Sequence, residues 1–327
     1  MTADDYAIGV DLGGTKIEVA LVDGRGEIIT KTRVPTPTSG DAAAVVDEIV
    51  GAVRSLQQET GIHPLGLGIG VAGQIGTSGE LVRFAPNLNW HDVPLRDELQ
   101  RHLELSVVVL NDVRAATWAE WRYGAGRGCT DLICLFVGTG IGGSTVNGGR
   151  MLEGHGNCAG ELGHWTIDLN GPLCHCGNRG CLEALAGGWA IGRRAREAVA
   201  ADPIAGRLLQ QLATASQTEI SAELVARAAH AGDPLASQLV AEVAEALCAG
   251  AVGLVNAFNP ERLILGGGVI EGLPELVDQI TAGVRQRALQ AATEQLRVIP
   301  AELHNDAGVI GAAAFAMDRF SRTGRPL

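Results

Sequence analysis

The chain has 327 residues, 46% of them hydrophobic and 19% charged, with a net charge of −12. This composition excludes a disordered chain and provides for a large core, expected to be divided between two lobes. The acidic balance excludes a basic nucleic-acid footprint but not an anionic nucleotide, which glycine loops bind through backbone N–H groups.

The opening residues, "MTADDYAIGVDLGG", have neither the basic region nor the apolar run of a secretory signal. No uninterrupted apolar run of about 18 residues predicts a membrane span. The longest, "ALCAGAVGLVNAF" (246–258), is too short. Of seven cysteines, Cys129, Cys134, Cys158 and Cys248 stand singly in apolar or glycine-rich surroundings. An odd, scattered set fits reduced thiols in a cytoplasm better than a disulfide framework.

In chain order, "AIGV" and "IEVALV" read as strands about the turn "DLGGTK" (Asp11–Lys16). A helix is expected over 41–60 with Asp41 as its cap, a strand over 65–73, a helix over 94–103 and a buried strand over 106–110. The segment "DLICLFVGTGIGGSTV" (131–146) then repeats the order strand, glycine turn, strand. This duplication bears more on the fold than any single motif. Helices follow at 184–200, 204–213, 221–231 and 234–258, then a strand running into "LGGGV" (265–269). A helix near 274–292, the strand "RVIPAEL" and a closing helix complete an α/β pattern with no low-complexity linker. The expected lobes are 1–113, completed by the closing segment 307–327, and 114–306.

Five groups of residues carry chemistry. In the first turn, Gly13 and Gly14 offer bare N–H groups and unusual φ angles, Thr15 a hydroxyl, and Lys16 closes the turn. Asp11 can hold Mg2+ through water. The turn is neither a Walker A loop nor a dinucleotide fingerprint, and taken alone it could be an ordinary type I′ hairpin. The second turn, with Gly138, Thr139, Gly140 and Gly142, argues for a phosphate clamp. Gly266, Gly267 and Gly268 suit either a helix entry or an adenosine lying against backbone. Asn111 and Asp112 follow a buried strand, where ligands of open α/β sheets bind. Asp112 could be the base that accepts a hydroxyl proton in phosphoryl transfer, or the cap of the following helix. His164, Cys174, Cys176 and Cys181 form a Cys3His set suited to a closed, structural Zn2+ site. His175 is an alternative ligand, and free thiols or a Cys174–Cys176 redox pair are the alternative chemistry.

Taken in order, "VDLGGTK", "NDVRAA", "GTGIGG", "ELGH" and "CHCGNRGC" resemble the ROK family (repressors, open reading frames, kinases), and within it the ATP-dependent bacterial glucokinases. The resemblance runs from Ile8 to about Phe315. It implies a two-lobed actin/hexokinase-like fold with nucleotide and sugar in the interlobe cleft. It implies Asp112 as the catalytic base and Gly73, Asn87, Asn111, Glu161, His164 and Glu183 as sugar contacts, with His164 rather than His175 on the metal. Without the motif, Glu161 or Glu183 alone would read as a solvated surface charge. Two departures stand out: Ser144 where a further glycine often follows, and Gln74-Ile75-Gly76 in place of a Val-Asp run.

The expected activity is Mg2+- and ATP-dependent phosphorylation of glucose at its 6-hydroxyl by a homodimer or homotetramer that needs no nucleic acid or membrane. An N-acetylglucosamine or N-acetylmannosamine kinase has nearly the same motifs. A sugar-responsive regulator of the family would carry a helix-turn-helix before the first clamp, whereas ten residues precede Asp11 here.

Overall fold

The structure is a computed structural model and describes residues 5–38 and 41–321. Its first sheet begins with β1 (Tyr6–Leu12), β2 (Lys16–Asp23) and β3 (Ile28–Pro35), an antiparallel meander. The capped helix α1 (Ala42–Thr60) leads to β4 (Leu67–Val71). A small sheet of β5 (Gln74–Ile75), β6 (Val82–Ala85) and β7 (Trp90–Val93) follows, in a region whose residue pattern announces no strands. Then come α2 (Leu95–Leu103), β8 (Val107–Asn111) and α3 (Asp112–Arg122).

The second sheet contains β9 (Leu132–Val137), β10 (Ile141–Asn147), β11 (Arg150–Met151), β12 (Arg262–Gly266) and β13 (Arg297–Pro300). Its helices are α4 (Leu182–Ala186), α5 (Gly188–Ala201), α6 (Arg207–Ser216), α7 (Ala222–His230), α8 (Pro234–Phe258), α9 (Gly268–Gly272), α10 (Glu275–Arg287) and α11 (Gln290–Thr293). Helix α12 (Ala307–Phe320) ends the described chain, so residues 322–327 of the expected closing segment lie outside it.

The strand orders are β3-β2-β1-β4-β8 and β11-β10-β9-β12-β13. In each sheet the central hairpin strand carries its hairpin partner on one side and two later strands on the other. β4 and β8 run parallel to β1, as β12 runs parallel to β9 and β13 to β12. The duplication legible in the two hairpins therefore extends to whole sheets.

The chain divides into two compact units, residues up to 129 with 144–160 and 302 onward, and residues 130–143 with 161–301. These limits differ from 113/114 and 306/307, because α3 packs on α12 and stays with the first sheet. In the first unit, α1 buries Val45, Val46, Ile49, Val53 and Leu56 at helical spacing. Asp41 accepts a hydrogen bond from the Ala43 N–H at 3.0 Å, and Gly61 ends the helix at φ 65. The other side of the sheet meets α12 so closely that a Cβ on Gly9 or Gly68 would overlap the Val309 or Ala312 carbonyl. Glu120, fully buried, accepts hydrogen bonds from the N–H groups of Ala125, Glu302 and Leu303 at 2.8–3.0 Å. Three donors satisfy a carboxylate that would otherwise be costly to bury.

In the second unit α8 forms the core, burying Leu239, Val243, Leu247, Ala251 and Leu254. It is 25 residues long, spanning the expected 234–258, and starts at Pro234 behind an Asp233 cap. By length and composition it could cross a membrane, yet 56% of its most apolar window is buried inside the protein. The expected helix over 184–200 is two helices meeting at Gly187, a break that proves relevant to the site.

Candidate active site

In the first unit the β1–β2 turn is closed by Gly13 N–H donating to the Lys16 carbonyl at 3.0 Å. The Thr36 hydroxyl donates to the Gly13 carbonyl at 2.7 Å. Neither Gly13 nor Gly14 has positive φ, contrary to the expectation of unusual φ angles, and so the turn is not type I′. The glycines serve close approach instead. A Cβ on Gly14 would lie 3.0 Å from the Asn87 Cβ, in the 3-10 turn Pro86–Leu88.

Gly73, Asn111 and Asp112 are brought together because β4 and β8 pair in parallel, with Val71 opposite Asn111. The Asn111 Nδ2 donates to the Gly73 carbonyl at 3.2 Å and to the Asp112 Oδ1 at 3.0 Å. Its Oδ1 accepts from the Arg114 N–H at 3.1 Å, so Asn111, not Asp112, caps α3. Asp112 is the first residue of the helix, where the dipole favours a carboxylate.

Burial, then the carboxylates of Asp112 and Glu18, push Asp11 up to about 6, against the opposing charge of Lys16. Glu18 faces Asp11 across the hairpin, pairs with Lys16 at 3.3 Å and with Arg33, and keeps a buried Oε2 with no hydrogen-bond partner. This excess of carboxylate fits a nearby cation. It also makes stability depend on pH. A raised carboxyl pKa favours folding below the unfolded value of about 3.8, and the contribution is lost as pH rises through about 6. Above that, ionised Asp11 costs the ligand-free fold on the order of 2–3 kcal/mol. Asp11→Asn should therefore raise the melting temperature by several degrees at pH 8 and by about half as much at pH 5; equal gains at both would refute the linkage.

Sequence reasoning missed Arg114 and Asn157. Buried Arg114 donates to the Ala159 carbonyl at 2.8 Å and to Asn157, whose Nδ2 donates to the Gly76 carbonyl at 3.1 Å. The pair braces the divergent Gln74-Ile75-Gly76 stretch. No spacing rule signals it, although an arginine one turn into a buried helix was a visible oddity.

In the second unit the β9–β10 turn is held from outside. Gly188 N–H donates to the Gly138 carbonyl and Trp189 N–H to the Thr139 carbonyl, each at 2.9 Å. Ile141 N–H donates to the Glu183 Oε2 at 2.9 Å, and the Trp189 Nε1 to the Glu183 Oε1 at 3.3 Å. Gly140 leaves room for that carboxylate, and Gly142 continues along β10. Gly266 ends β12, and Gly267, at φ 90, enters α9 against the Val137 carbonyl. The third glycine run is thus a helix entry. Gly268 beyond it joins Gly138, Thr139, Gly188 and Trp189 in lining a cavity of about 870 Å3 that also presents Arg196, Ser221 and His230.

Glu161 is exposed, just before the 3-10 turn Leu162–His164. That turn lies against β10, since a Cβ on Gly163 would overlap the Ile141 carbonyl. His164, Cys174, Cys176 and Cys181 place their ligand atoms within 4.8 Å of one another. The His164 Nδ1 lies 3.6 Å from the Cys174 Sγ, and the Cys176 and Cys181 sulfurs are 3.7 Å apart. Tetrahedral zinc, with Zn–S about 2.3 Å and Zn–N about 2.0–2.1 Å, sets these edges at about 3.5 and 3.8 Å. The donor set fits. Burial pushes the Cys174 thiol up to about 12, and a bound cation would supply the charge it needs to ionise. His175 instead stacks on Trp189, ring centroids 4.0 Å apart.

The sequence model of the ROK family matches residues 7–319. The glucokinase of Streptomyces coelicolor is 36% identical over 312 residues, 95% of this chain and 97% of its own length. The N-acetylmannosamine kinase of Escherichia coli is 31% identical over 95% of this chain and 98% of its own. The crystal structure of a ROK family glucokinase from Streptomyces griseus in complex with glucose and AMPPNP matches with a TM-score of 0.82 at 36% identity, over 96% of this chain and 99% of that one. The α/β architecture is thus that of the two-lobed, actin-like sugar kinases. From Ala7 to Arg319, through both duplicated sheets and the cysteine cluster, the chain belongs to the ROK family.

Proposed function

We propose that the protein is an ATP- and Mg2+-dependent kinase that converts glucose to glucose 6-phosphate. The observation that carries this reading is the Gly73–Asn111–Asp112 constellation: Asn111 performs the helix capping, and Asp112 stands beside it at the helix start. The Asp112 carboxylate accepts the 6-hydroxyl proton as the sugar oxygen bonds to the γ-phosphorus and the bond to the bridging β–γ oxygen breaks, releasing ADP. Asp11 would hold, through water, the Mg2+ that accompanies the nucleotide, and the ion would neutralise phosphate charge.

The phosphate-binding residues are Gly13, Gly14, Thr15 and Lys16 in one turn and Gly138, Thr139, Gly140 and Gly142 in the other. The cavity beyond Gly268 takes the adenosine. Gly73, Asn87, Asn111, Glu161, His164 and Glu183 recognise the hexose, whose alternating donors and acceptors reward a fully paired site. His164, Cys174, Cys176 and Cys181 would hold a structural Zn2+, which would fix the His164 ring.

The 31% identity to an N-acetylmannosamine kinase favours an N-acetylhexosamine as the second reading. A coupled ADP-release screen over glucose, mannose, fructose, N-acetylglucosamine and N-acetylmannosamine decides between them. Glucose should give the highest kcat/KM; turnover of the N-acetylated sugars alone establishes the second reading. No ADP release with any of them would overturn the kinase reading.

A further inference from the structure

Besides its place among the proposed sugar contacts, Glu183 reaches the β9–β10 turn, the cysteine cluster and Trp189. Resting on the kinase reading, we infer that Glu183 is a positioning residue through which the cysteine cluster holds the phosphate-binding turn Gly138–Ile141, so that nucleotide affinity depends on this carboxylate and on an intact metal site.

Cys181 is both a candidate metal ligand and the residue that opens α4, and Glu183 lies in the first turn of that helix. The two oxygens of Glu183 point opposite ways in function. Oε2 accepts the Ile141 N–H at 2.9 Å, while Oε1 lies 3.9 Å from the Cys174 sulfur and 3.3 Å from the Trp189 Nε1. One carboxylate thus touches the turn, the cluster and the cavity wall. The helix break noted above continues the connection. Gly187 N–H donates to the Glu183 carbonyl, and the next two N–H groups, of Gly188 and Trp189, donate to the carbonyls of Gly138 and Thr139. Every residue from 183 to 189 that grips the turn therefore follows within eight positions of Cys181.

Two further routes converge. Gly163, the neighbour of His164, lies directly against the Ile141 carbonyl. His175, between two cysteines, stacks on Trp189. The N–H groups of a phosphate clamp work only if held in a fixed array, and this array is tied at Gly138, Thr139 and Ile141 to residues the metal loop positions.

The test is titration calorimetry with Mg-AMPPNP in the absence of sugar, so that a sugar contact made by Glu183 cannot contribute. Glu183→Ala should weaken nucleotide binding about tenfold or more, the scale of a lost hydrogen bond to a charged group. Glu183→Gln keeps an oxygen for the Ile141 N–H and should recover much of the loss. Wild-type protein stripped of zinc should resemble Glu183→Ala. Nucleotide affinity unchanged in Glu183→Ala, with glucose binding lost, would overturn the inference and leave Glu183 a sugar contact alone. Should the Ala variant fail to fold, unchanged nucleotide affinity in the zinc-stripped protein overturns it equally. A wild-type protein that binds no Mg-AMPPNP overturns the kinase reading and this inference with it.

Discussion

Asp112→Asn is expected to reduce kcat by roughly 10²-fold or more while glucose affinity and thermal stability stay close to wild type. The expectation is sharp because the structural work at this corner belongs to a neighbour. Asn111 caps α3 through its Oδ1, and its Nδ2 would find in the amide oxygen of the substituted side chain the same acceptor that the Asp112 Oδ1 provides at 3.0 Å. The substitution keeps shape and hydrogen bonding and removes only the capacity to take a proton. It has a side effect that can be read separately. Asp112 is the second cause, after burial, of the raised Asp11 pKa, so that carboxyl should fall toward its ordinary range in the variant. Steady-state kinetics with a carboxyl titration by NMR would show both. Near-normal kcat would reduce Asp112 to a helix-start residue.

Removing zinc, or replacing Cys176 by alanine, should lower the melting temperature by about 10 °C and abolish a metal content of about one zinc per chain. The segment from His164 to Cys181 is folded by backbone hydrogen bonds and two isolated bridges, with little apolar packing beneath them. Leu169 and Leu173 are exposed, and the small apolar cluster here contains only Cys174, Cys181 and Ala184, with Trp189 packed against it. Gly180 adopts φ 64 and leaves no room for a Cβ beside the Asp168 carbonyl. A loop so poor in buried apolar surface needs metal bonds to offset its ordering entropy. Elemental analysis and melting curves before and after chelation check this. Protein without metal, melting at the same temperature after chelation, would leave the thiols without a structural role.

The parts of the fold that were legible in sequence are those set by local periodicity. The two hairpins, the Asp41-capped helix and the helix from Pro234 follow from apolar spacing and caps within one element. The strands β5 to β7 were not legible, because two to four residues are too few to show a period. At the site, the three cysteines of the candidate metal cluster were legible from their spacing, whereas the choice of His164 over His175 rested on the family resemblance. The function of the glycines was misread: neither Gly13 nor Gly14 answers to backbone angle, and Gly14 answers to close approach by Asn87, a partner some seventy positions away. The assignment between capping and chemistry at Asn111-Asp112 was left open for the same reason, since either residue type caps a helix. Arg114 with Asn157, and Glu183 with Ile141, join residues about forty positions apart, and no short-range pattern encodes such pairs.

The close fit of α12 on the first sheet has a consequence for synthesis. The ribosome delivers β1, β4 and α3 early, but the helix that seats against Gly9 and Gly68 comes last, from Ala307 onward. Every residue of the second unit has by then been made. The later-encoded unit can complete its core first, while the earlier one waits with Ala7, Ala20 and Val22 uncovered on the side that Val309, Ala313 and Met317 will close. For the length of that wait the nascent chain displays an apolar sheet face, the kind of surface chaperones bind. A message cut short before Ala307 would leave it displayed for good.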